Sequence, residues 1–239
     1  MKKPLMILFD VGGTLFNDGK CNFLDGLSAL RKYAENPDIT DDETLLNIWN
    51  EYLKRLGKSF QTEDEASLEI PLSAMIKMAT MTAGLKFSED IFSQEEIFDR
   101  FNSTREVKEG IPELLSLLKA KGIRTAVISN NAMSGESLAL AIKRWIPSSE
   151  LEFCLTSADI LFSKPDKALF IAAANYAGVA PSDCWYCGDS KIPDVDGARG
   201  AGMFPVLINE NADEPLSCKD GYLTIKSWNE LIKYISEMN

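Results

Sequence analysis

Outside residues 19–108, the chain shows two alternating spacings of hydrophobic residues. Short and nearly continuous apolar runs are followed by longer stretches in which apolar residues recur every three or four positions. The short runs predict buried strands, and the longer stretches predict amphipathic helices. The predicted strands cover residues 5–9, 123–129, 151–156, 184–187 and 203–208. Strands that are almost entirely apolar and separated by helices indicate a parallel sheet covered on both faces.

Caps and turn residues mark the ends of two predicted helices. Pro112 lies in the first turn of a helix predicted for residues 109–121, and Gly122 follows as its stop. Ser227, with Glu230 three residues later, predicts a capping box at the start of the last helix. The resulting order of strands and helices is typical of an α/β, Rossmann-like doubly wound parallel sheet.

Residues 19–108 have a different pattern. Thr40 and Glu43 predict a capping box, and the helix after them carries one apolar face formed by Leu45, Ile48, Trp49, Tyr52 and Leu56. Residues 22–33, 67–84 and 93–103 also predict helices, and no strand is predicted among them. We therefore expect an α/β core made of residues 1–18 and 109–239, with residues 19–108 as an inserted all-helical unit.

Composition narrows the classes of protein that fit this pattern. The chain has 239 residues, 45% of them hydrophobic and 26% charged, as in ordinary folded proteins. Its net charge of -11 argues against a nucleic-acid partner, because nucleic-acid binding rests largely on Lys and Arg. A local cluster of donors can still bind a small anion. The odd number of cysteines, five, indicates reduced thiols and a cytoplasmic location, and the first apolar run is too short to span a membrane.

Four polar segments follow the predicted strands, and each contains groups suited to phosphate chemistry. Asp10, at the end of the first strand, precedes Gly12, Gly13 and Thr14. A carboxylate in this position can attack phosphorus, and the flexible glycine backbone allows amides to approach a phosphate closely. Ser129 and Asn130 offer a hydroxyl and nearby amides. This pair could therefore bind phosphate oxygens.

The other two segments carry charge. Lys164, which precedes Pro165 at a predicted helix start, could neutralise a carboxylate and a transferring group together. Asp189 and Asp194 supply the carboxylate oxygens that Mg2+ prefers. In open parallel sheets, ligands bind beyond the carboxyl ends of the strands, so all four segments are expected to meet at one site.

In this order the segments resemble the four motifs of the haloacid dehalogenase (HAD) superfamily of hydrolases. FDVGGTLF is similar to the first motif, VISNN to the second, FSKPD to the third, and GDSKIPDVDGARGAGM to the fourth. The helical insertion is similar to the C1 cap of that superfamily, a lid that closes over the site and selects the substrate. The resemblance covers nearly the whole chain.

The resemblance implies a role for each of these residues. Asp10 would be the nucleophile and a Mg2+ ligand, and the Gly12 carbonyl and Asp189 would complete the protein's share of the metal site. Asp194 would hold the water shell of the metal or orient Lys164, which would balance the charge of the site. The substrate implied is a small phosphorylated metabolite.

The same resemblance assigns the groups that hold the transferring phosphoryl group. Ser129 and the amides near Gly13 and Asn130 would bind it, together with the Lys164 ammonium group. Thr14 would lock the turn of this phosphate-binding loop.

The chain departs from the family pattern at Gly12. Phosphatases of the superfamily carry a second Asp there, which protonates the leaving oxygen and then activates water. Loss of a positioned acid/base group costs about 10²- to 10⁴-fold in rate, so we expect an alkyl phosphatase of this kind to be slow. Either the substrate has a good leaving group, or another residue supplies the proton, or hydrolysis has been lost while binding is retained.

Three other interpretations stay open. The chain could be a pseudoenzyme that binds a phosphorylated ligand or a protein. It could be a 2-haloacid dehalogenase, although that chemistry needs no metal and gives Asp189 and Asp194 no role. It could be similar to phosphonoacetaldehyde hydrolases, which use a cap lysine as a Schiff-base nucleophile. Lys54 and Lys58 lie in the predicted cap, but both are also explained as ordinary surface charges.

Overall fold

The computed structural model describes residues 2–17, 19–59, 69–214 and 216–238. The strands in these ranges are β1 Met6–Phe9, β2 Phe16–Asn17, β3 Glu106–Val107, β4 Arg124–Ser129, β5 Cys154–Thr156, β6 Cys184–Gly188, β7 Phe204–Ile208, β8 Ser217–Lys219 and β9 Tyr222–Ile225. The α-helices are α1 Phe23–Tyr33, α2 Asp42–Ser59, α3 Leu72–Thr82, α4 Ile91–Asn102, α5 Ile111–Ala120, α6 Gly135–Trp145, α7 Ser157–Ile160, α8 Lys167–Ala177, α9 Gly197–Gly200 and α10 Trp228–Ser236.

Seven strands form one sheet in the order β5-β4-β1-β6-β7-β9-β8. All neighbouring pairs are parallel except β8 and β9, which form an antiparallel hairpin at one edge. Strand β1 is central, and Phe9 is paired with Val127 of β4 on one side and with Cys187 of β6 on the other. The carboxyl ends of β1, β4 and β6 therefore lie next to one another.

Alternate residues of the central strands contact two separate cores. Ile7 and Phe9 face the core beneath α5, α6 and α10, whereas Met6 and Leu8 face the core beneath α8 and α9. Every residue of β1 is fully buried, which accounts for its continuous apolar sequence. The predicted α/β doubly wound fold is confirmed.

The helical insertion has a core of its own. Leu27 and Leu30 of α1 pack with Trp49 of α2, Ile76 of α3 and Phe98 of α4. The rings of Trp49 and Phe98 stack with centroids 5.2 Å apart. The apolar face predicted for residues 45–56 therefore lies against this core.

Several local predictions were wrong. The region between residues 19 and 108 is not all-helical, because β3 pairs with β2 to form a short antiparallel ribbon. The hairpin of β8 and β9 was not predicted either. Its antiparallel pairing means that the sheet is not parallel throughout. The N-cap of α2 is Asp41, whose Oδ1 accepts from the Thr44 N–H at 2.7 Å. Thr40 is therefore not part of a capping box.

The predicted capping box of α10 is also absent. The helix does begin after Ser227, but the Ser227 side chain makes no capping hydrogen bond. Glu230 Oε2 instead accepts from the backbone N–H of Lys226 at 2.8 Å and of Leu216 at 3.3 Å. The carboxylate thus joins the helix start to the chain leading into β8.

No helix within the described ranges has both the length and the apolar character needed to cross a lipid bilayer.

Candidate active site

Asp10 lies where the central strand of the sheet ends. Its backbone N–H donates to Cys187 O of β6 at 2.9 Å, which extends the pairing of β1 by one residue. The residue is only 9% exposed. A carboxylate is therefore held at low solvent exposure between the ends of β4 and β6.

Lys164 is the cation that faces this carboxylate. Its ammonium group donates to Asp10 Oδ1 at 2.8 Å, to Asp194 Oδ1 at 2.6 Å and to Tyr186 OH at 2.7 Å. The ammonium group thereby uses all three of its N–H donors. One buried cation faces two buried carboxylates, and these residues, with Tyr186, form what we call the Lys164 cluster.

The backbone of Lys164 is held by Asn130. Asn130 Oδ1 accepts from the Lys164 N–H at 2.6 Å, and Asn130 Nδ2 donates to Lys164 O at 3.0 Å. The Lys164–Pro165 peptide bond is cis. The side-chain amide of Asn130 is thus bonded to the lysine segment. The backbone of Asn130 is the part of this residue that remains available to bind a ligand.

Tyr186 is the member of the cluster that the sequence analysis missed. Its hydroxyl lies 3.1 Å from Ile128 O and 3.2 Å from Asp194 Oδ1, so it accepts from Lys164 and donates to an oxygen. Burial, with the neighbouring carboxylates, raises the pKa of Tyr186 well above its usual value. The phenol stays neutral and acts as a hydrogen-bonding support for the lysine.

A sequence signal for Tyr186 did exist. Residues at alternate positions of a strand share a face, so Cys184 and Tyr186 lie on the α8 side while Trp185 and Cys187 lie on the other. The two thiols therefore lie on opposite faces of the strand. Of the two β6 side chains on the α8 side, Tyr186 is the one whose polar group contacts Lys164.

Asp194 is fixed by hydrogen bonds to both of its oxygens. Oδ1 accepts from Lys164, and Oδ2 accepts from the Ser190 N–H at 2.9 Å. The residue belongs to a π-helical turn, Lys191–Asp196, and a Cβ on Gly188 would lie 2.3 Å from its Cγ. Gly188 therefore provides the space in which the Asp194 carboxylate reaches Lys164.

Asp189 occupies a similar space beside the first motif. Gly13 has a φ of 63°, and a Cβ on it would lie 2.1 Å from Asp189 Oδ2. Both the left-handed backbone and the nearby carboxylate therefore require glycine at this position. Asp189 is more exposed than Asp10 and Asp194, and its Oδ1 accepts from Ser190 Oγ at 3.3 Å.

The three aspartates form an acidic cluster. Asp10, Asp189 and Asp194 each place one carboxylate oxygen within 4.8 Å of the others. Burial raises the pKa of Asp10 and of Asp189, and Asp194 adds to both effects, while Lys164 opposes them. Carboxylate oxygens at this spacing suit a hard divalent cation such as Mg2+. Because both oxygens of Asp194 are already bonded, Asp10 and Asp189 are the better direct ligands.

A cavity of about 350 Å³ lies next to the first motif and is bordered by Val11 and Gly12, which follow Asp10, while none of the three aspartates borders it. Ser129, which is 3% exposed, borders the cavity together with Gly12, Asn130 and Asn131. Thr14 does not border it: its side chain is fully buried, and its Oγ1 has no hydrogen-bond partner within the described part of the chain. The sequence-predicted residues other than Thr14 therefore gather around the acidic cluster or along the cavity.

The fold and the site together define a doubly wound α/β protein whose charged groups gather at the carboxyl edge of a parallel sheet. The chain belongs to the haloacid dehalogenase-like hydrolase family, whose model matches residues 6–202. This membership agrees with the resemblance of the four motifs to the HAD superfamily.

Two curated relatives illustrate the range of the family. The mouse haloacid dehalogenase-like hydrolase domain-containing protein 3 is 29% identical over 124 residues, which cover 51% of this chain and 47% of that protein. The match thus spans about half the length of that relative. The glyceraldehyde 3-phosphate phosphatase of Methanopyrus kandleri is 26% identical over 210 residues, covering 84% of this chain and 82% of that protein.

Among solved structures, a 2-haloacid dehalogenase from Pseudomonas syringae pv. Tomato DC3000 is similar over 99% of both chains, with a TM-score of 0.60 and 21% identity. At this identity the similarity shows the fold alone. The names of the similar proteins include both phosphatases and dehalogenases. Which of these chemistries applies must be argued from the residues of this chain.

Proposed function

We propose that the protein is a Mg2+-dependent phosphatase that hydrolyses a small phosphorylated metabolite through an aspartyl-phosphate on Asp10. The observation that carries the proposal is the acidic cluster of Asp10, Asp189 and Asp194, with Lys164 bonded to two of its members. A dehalogenase needs no such cluster, because it forms its ester with carbon and uses no metal. The three carboxylates suit a divalent cation, and Lys164 supplies positive charge for a phosphate.

The residues divide the work between nucleophile and support. A carboxylate oxygen of Asp10 attacks phosphorus, the bond from phosphorus to the leaving oxygen breaks, and water later hydrolyses the acyl phosphate. Lys164 balances the negative charge of Asp10 and of the transferring group, and Asp194 orients Lys164. Ser129 and the backbone amides near Gly13 and Asn130 bind the phosphate oxygens.

Mg2+ would be held by Asp10, Asp189 and the Gly12 carbonyl, and when bound it supplies positive charge that stabilises the transferring phosphoryl group. The helical insertion would act as the cap over this site. Among its backbone contacts with the core, the N–H of Glu69 donates to Leu161 O at 3.1 Å and that of Leu72 donates to Ala132 O at 2.7 Å.

Gly12 sets the expected substrate range. The described residues that line the cavity include no carboxyl group that could replace the missing acid. We therefore propose that the preferred substrates have leaving groups that depart without a proton. Lys54 is exposed on the surface of α2 and has no position in this cavity, while the side chain of Lys58 lies outside the described residues.

A substrate series tests the proposal. We expect turnover of acetyl phosphate and p-nitrophenyl phosphate in the presence of Mg2+, and slow turnover of alkyl phosphates. Gly12→Asp should raise alkyl-phosphate turnover by about 10²- to 10⁴-fold, since it restores the acid/base group. Equal turnover of alkyl and activated phosphates by the natural chain would contradict the role assigned to Gly12.

Metal binding can be measured without turnover. Mg2+ should raise the melting temperature of the natural chain, because a ligand at 100 times its Kd stabilises the folded state by about 2.7 kcal/mol. Asp189→Asn should reduce this rise, and Asp213→Asn, at an exposed position outside the cluster, should not. An equal rise in all three proteins would place the metal elsewhere.

Metal-independent dehalogenation is the second candidate, because that chemistry needs no carboxylate at position 12. Release of chloride from 2-chloropropionate in the presence of a chelator would support it. Absence of turnover with every phosphate and haloacid, combined with binding of inorganic phosphate, would instead support a pseudoenzyme.

A further inference from the structure

The cavity beside the acidic cluster is lined from two parts of the chain. Gly12 and Ser129 border it from the strand ends of the core, and Arg105 borders it from the end of the helical insertion. Arg105 immediately precedes β3, the strand that returns the chain to the core. Among the described lining residues, Arg105 is the one whose side chain carries a full charge. The cavity thus has a phosphate-binding side and a separate cation.

Arg105 is held in place by Asp99 of α4. Its Nη1 donates to Asp99 Oδ2 at 2.8 Å, and its Nη2 donates to Asp99 Oδ1 at 2.6 Å. Asp99 is 5% exposed and Arg105 is 17% exposed at the side chain. A two-point bond of this kind fixes the plane of the guanidinium group, so little conformational entropy is lost when a ligand binds. The Nε–H of Arg105 has no acceptor among the described residues.

Asp99 pairs with a second arginine as well as with Arg105. Arg144 of α6 donates to Asp99 Oδ2 at 3.2 Å and is also paired with Glu96. Arg100 pairs with Glu96 as well, at 3.0 Å. We call these five residues the interface cluster, because they join α4 of the insertion to α6 of the core.

The interface cluster has an excess of positive charge. It holds three arginines and two carboxylates in a chain whose net charge is -11. A local positive excess in an acidic protein attracts an anion to the place where it is accessible. Of the three arginines, Arg105 is the one that borders the cavity.

We propose that Arg105 binds a carboxylate of the substrate, so that the protein acts on phosphorylated carboxylic acids. This inference rests on the proposed phosphatase function and names the substrate class of that site. A planar carboxylate is the anion that matches the planar donors of a guanidinium group. The cavity of about 350 Å³ lies at the small end of ligand pockets, so it suits a compact substrate.

The test compares two substrates of nearly the same shape, one with a charged carboxylate and one with a neutral amide. The first is carboxyphenyl phosphate and the second is the isosteric carbamoylphenyl phosphate, each as its meta and para isomers. The natural chain should favour the carboxylate over the amide by about 10- to 100-fold in kcat/KM, mainly through KM, as a hydrogen bond to a charged group provides. Arg105→Met should bring this ratio close to one.

Two further variants separate binding from folding. Arg105→Lys keeps the positive charge but loses the planar donors, so an intermediate ratio is expected. Arg100→Met removes an arginine of the same cluster that lies outside the cavity, so it should leave the ratio as it is in the natural chain. Thermal unfolding of each variant shows whether it is folded.

The outcomes also distinguish the inference from the proposed function. If neither aryl phosphate is turned over, the phosphatase function fails, and the Kd values of the two compounds from calorimetry then give the same ratio. A ratio near one for the natural chain, by turnover or by binding, overturns the role of Arg105. So does a ratio that survives in Arg105→Met or that is lost equally in Arg100→Met.

Discussion

The Lys164 cluster and the interface cluster have opposite charge balances. In the Lys164 cluster one cation faces two carboxylates, with Asp189 nearby as a third. In the interface cluster three arginines face two carboxylates. The first arrangement suits a cation and the second suits an anion, and both adjoin the region of the cavity. A substrate with two anionic ends and a bound metal ion would satisfy both.

The two clusters also differ in burial. The Lys164 and Asp194 side chains are 3% and 2% exposed, whereas Arg100 of the interface cluster is 48% exposed. Buried charges depend on their partners far more than exposed ones, since water cannot replace a lost partner. Removal of the cation from the Lys164 cluster should therefore have a larger effect on stability than a substitution in the interface cluster.

The largest effect is expected for Lys164→Met. The change leaves Asp10 and Asp194 buried without their cation, which should cost about 3–5 kcal/mol of unfolding free energy, and activity should be lost. Chemical denaturation measures the free energy. As a control, Lys219→Met breaks the exposed pair with Glu214 and should cost less than about 1 kcal/mol. An equal loss of unfolding free energy at the two sites would show that water replaces the lost cation in the Lys164 cluster.

A smaller effect is expected for Asp99→Asn in the interface cluster. Asp99 accepts from Arg105 and Arg144, and the neutral amide weakens these charge-assisted bonds. The free energy of unfolding should therefore fall by about 1.5–3 kcal/mol. The carboxylate preference of the enzyme should fall as well, because Arg105 loses its support. A loss of stability as large as that of Lys164→Met would remove the contrast between the clusters.

The smallest effect is expected for Asp10→Asn, and its sign depends on pH. Burial raises the pKa of Asp10, so the folded state holds the proton more tightly than the unfolded state. The natural chain therefore loses stability, relative to the variant, as pH rises from the unfolded pKa through the folded one. With a chelator present, melting temperatures should be similar near pH 3.8 and higher for the variant at pH 7. Greater stability of the natural chain at pH 7 would contradict this sign.

The sheet was largely predictable because its strands are buried on both faces. Such strands have continuous apolar sequences, which is why β1, β4 and β6 were found within two residues of their bounds. The hairpin of β8 and β9 was not found, because it lies at the sheet edge and Ser217–Lys219 has no apolar run. Both capping-box predictions failed because a neighbouring acceptor, Asp41, or a tertiary contact, that of Glu230, competed with the local pattern.

The site was predictable where motifs specify the chemistry and not where tertiary contacts do. Asp10, Lys164 and Asp194 could be named from their order after the strands. Tyr186 was not named, because the alternation along its strand shows only which face it lies on, and its hydrogen-bond partners are distant in sequence. Arg105 and Asp99 lie in the insertion, where helical spacing describes packing but does not show which charged residues meet across it.

Gly13 and Gly188 have a consequence for anyone who wishes to redesign this enzyme. Each glycine leaves a volume that a neighbouring carboxylate fills, Asp189 in one case and Asp194 in the other. A side chain at either position would displace the acid, and an alanine in place of the acid would leave a void. An engineer who wants to alter the acidic cluster should therefore vary the carboxylate and keep the glycine, or replace both members of a pair together.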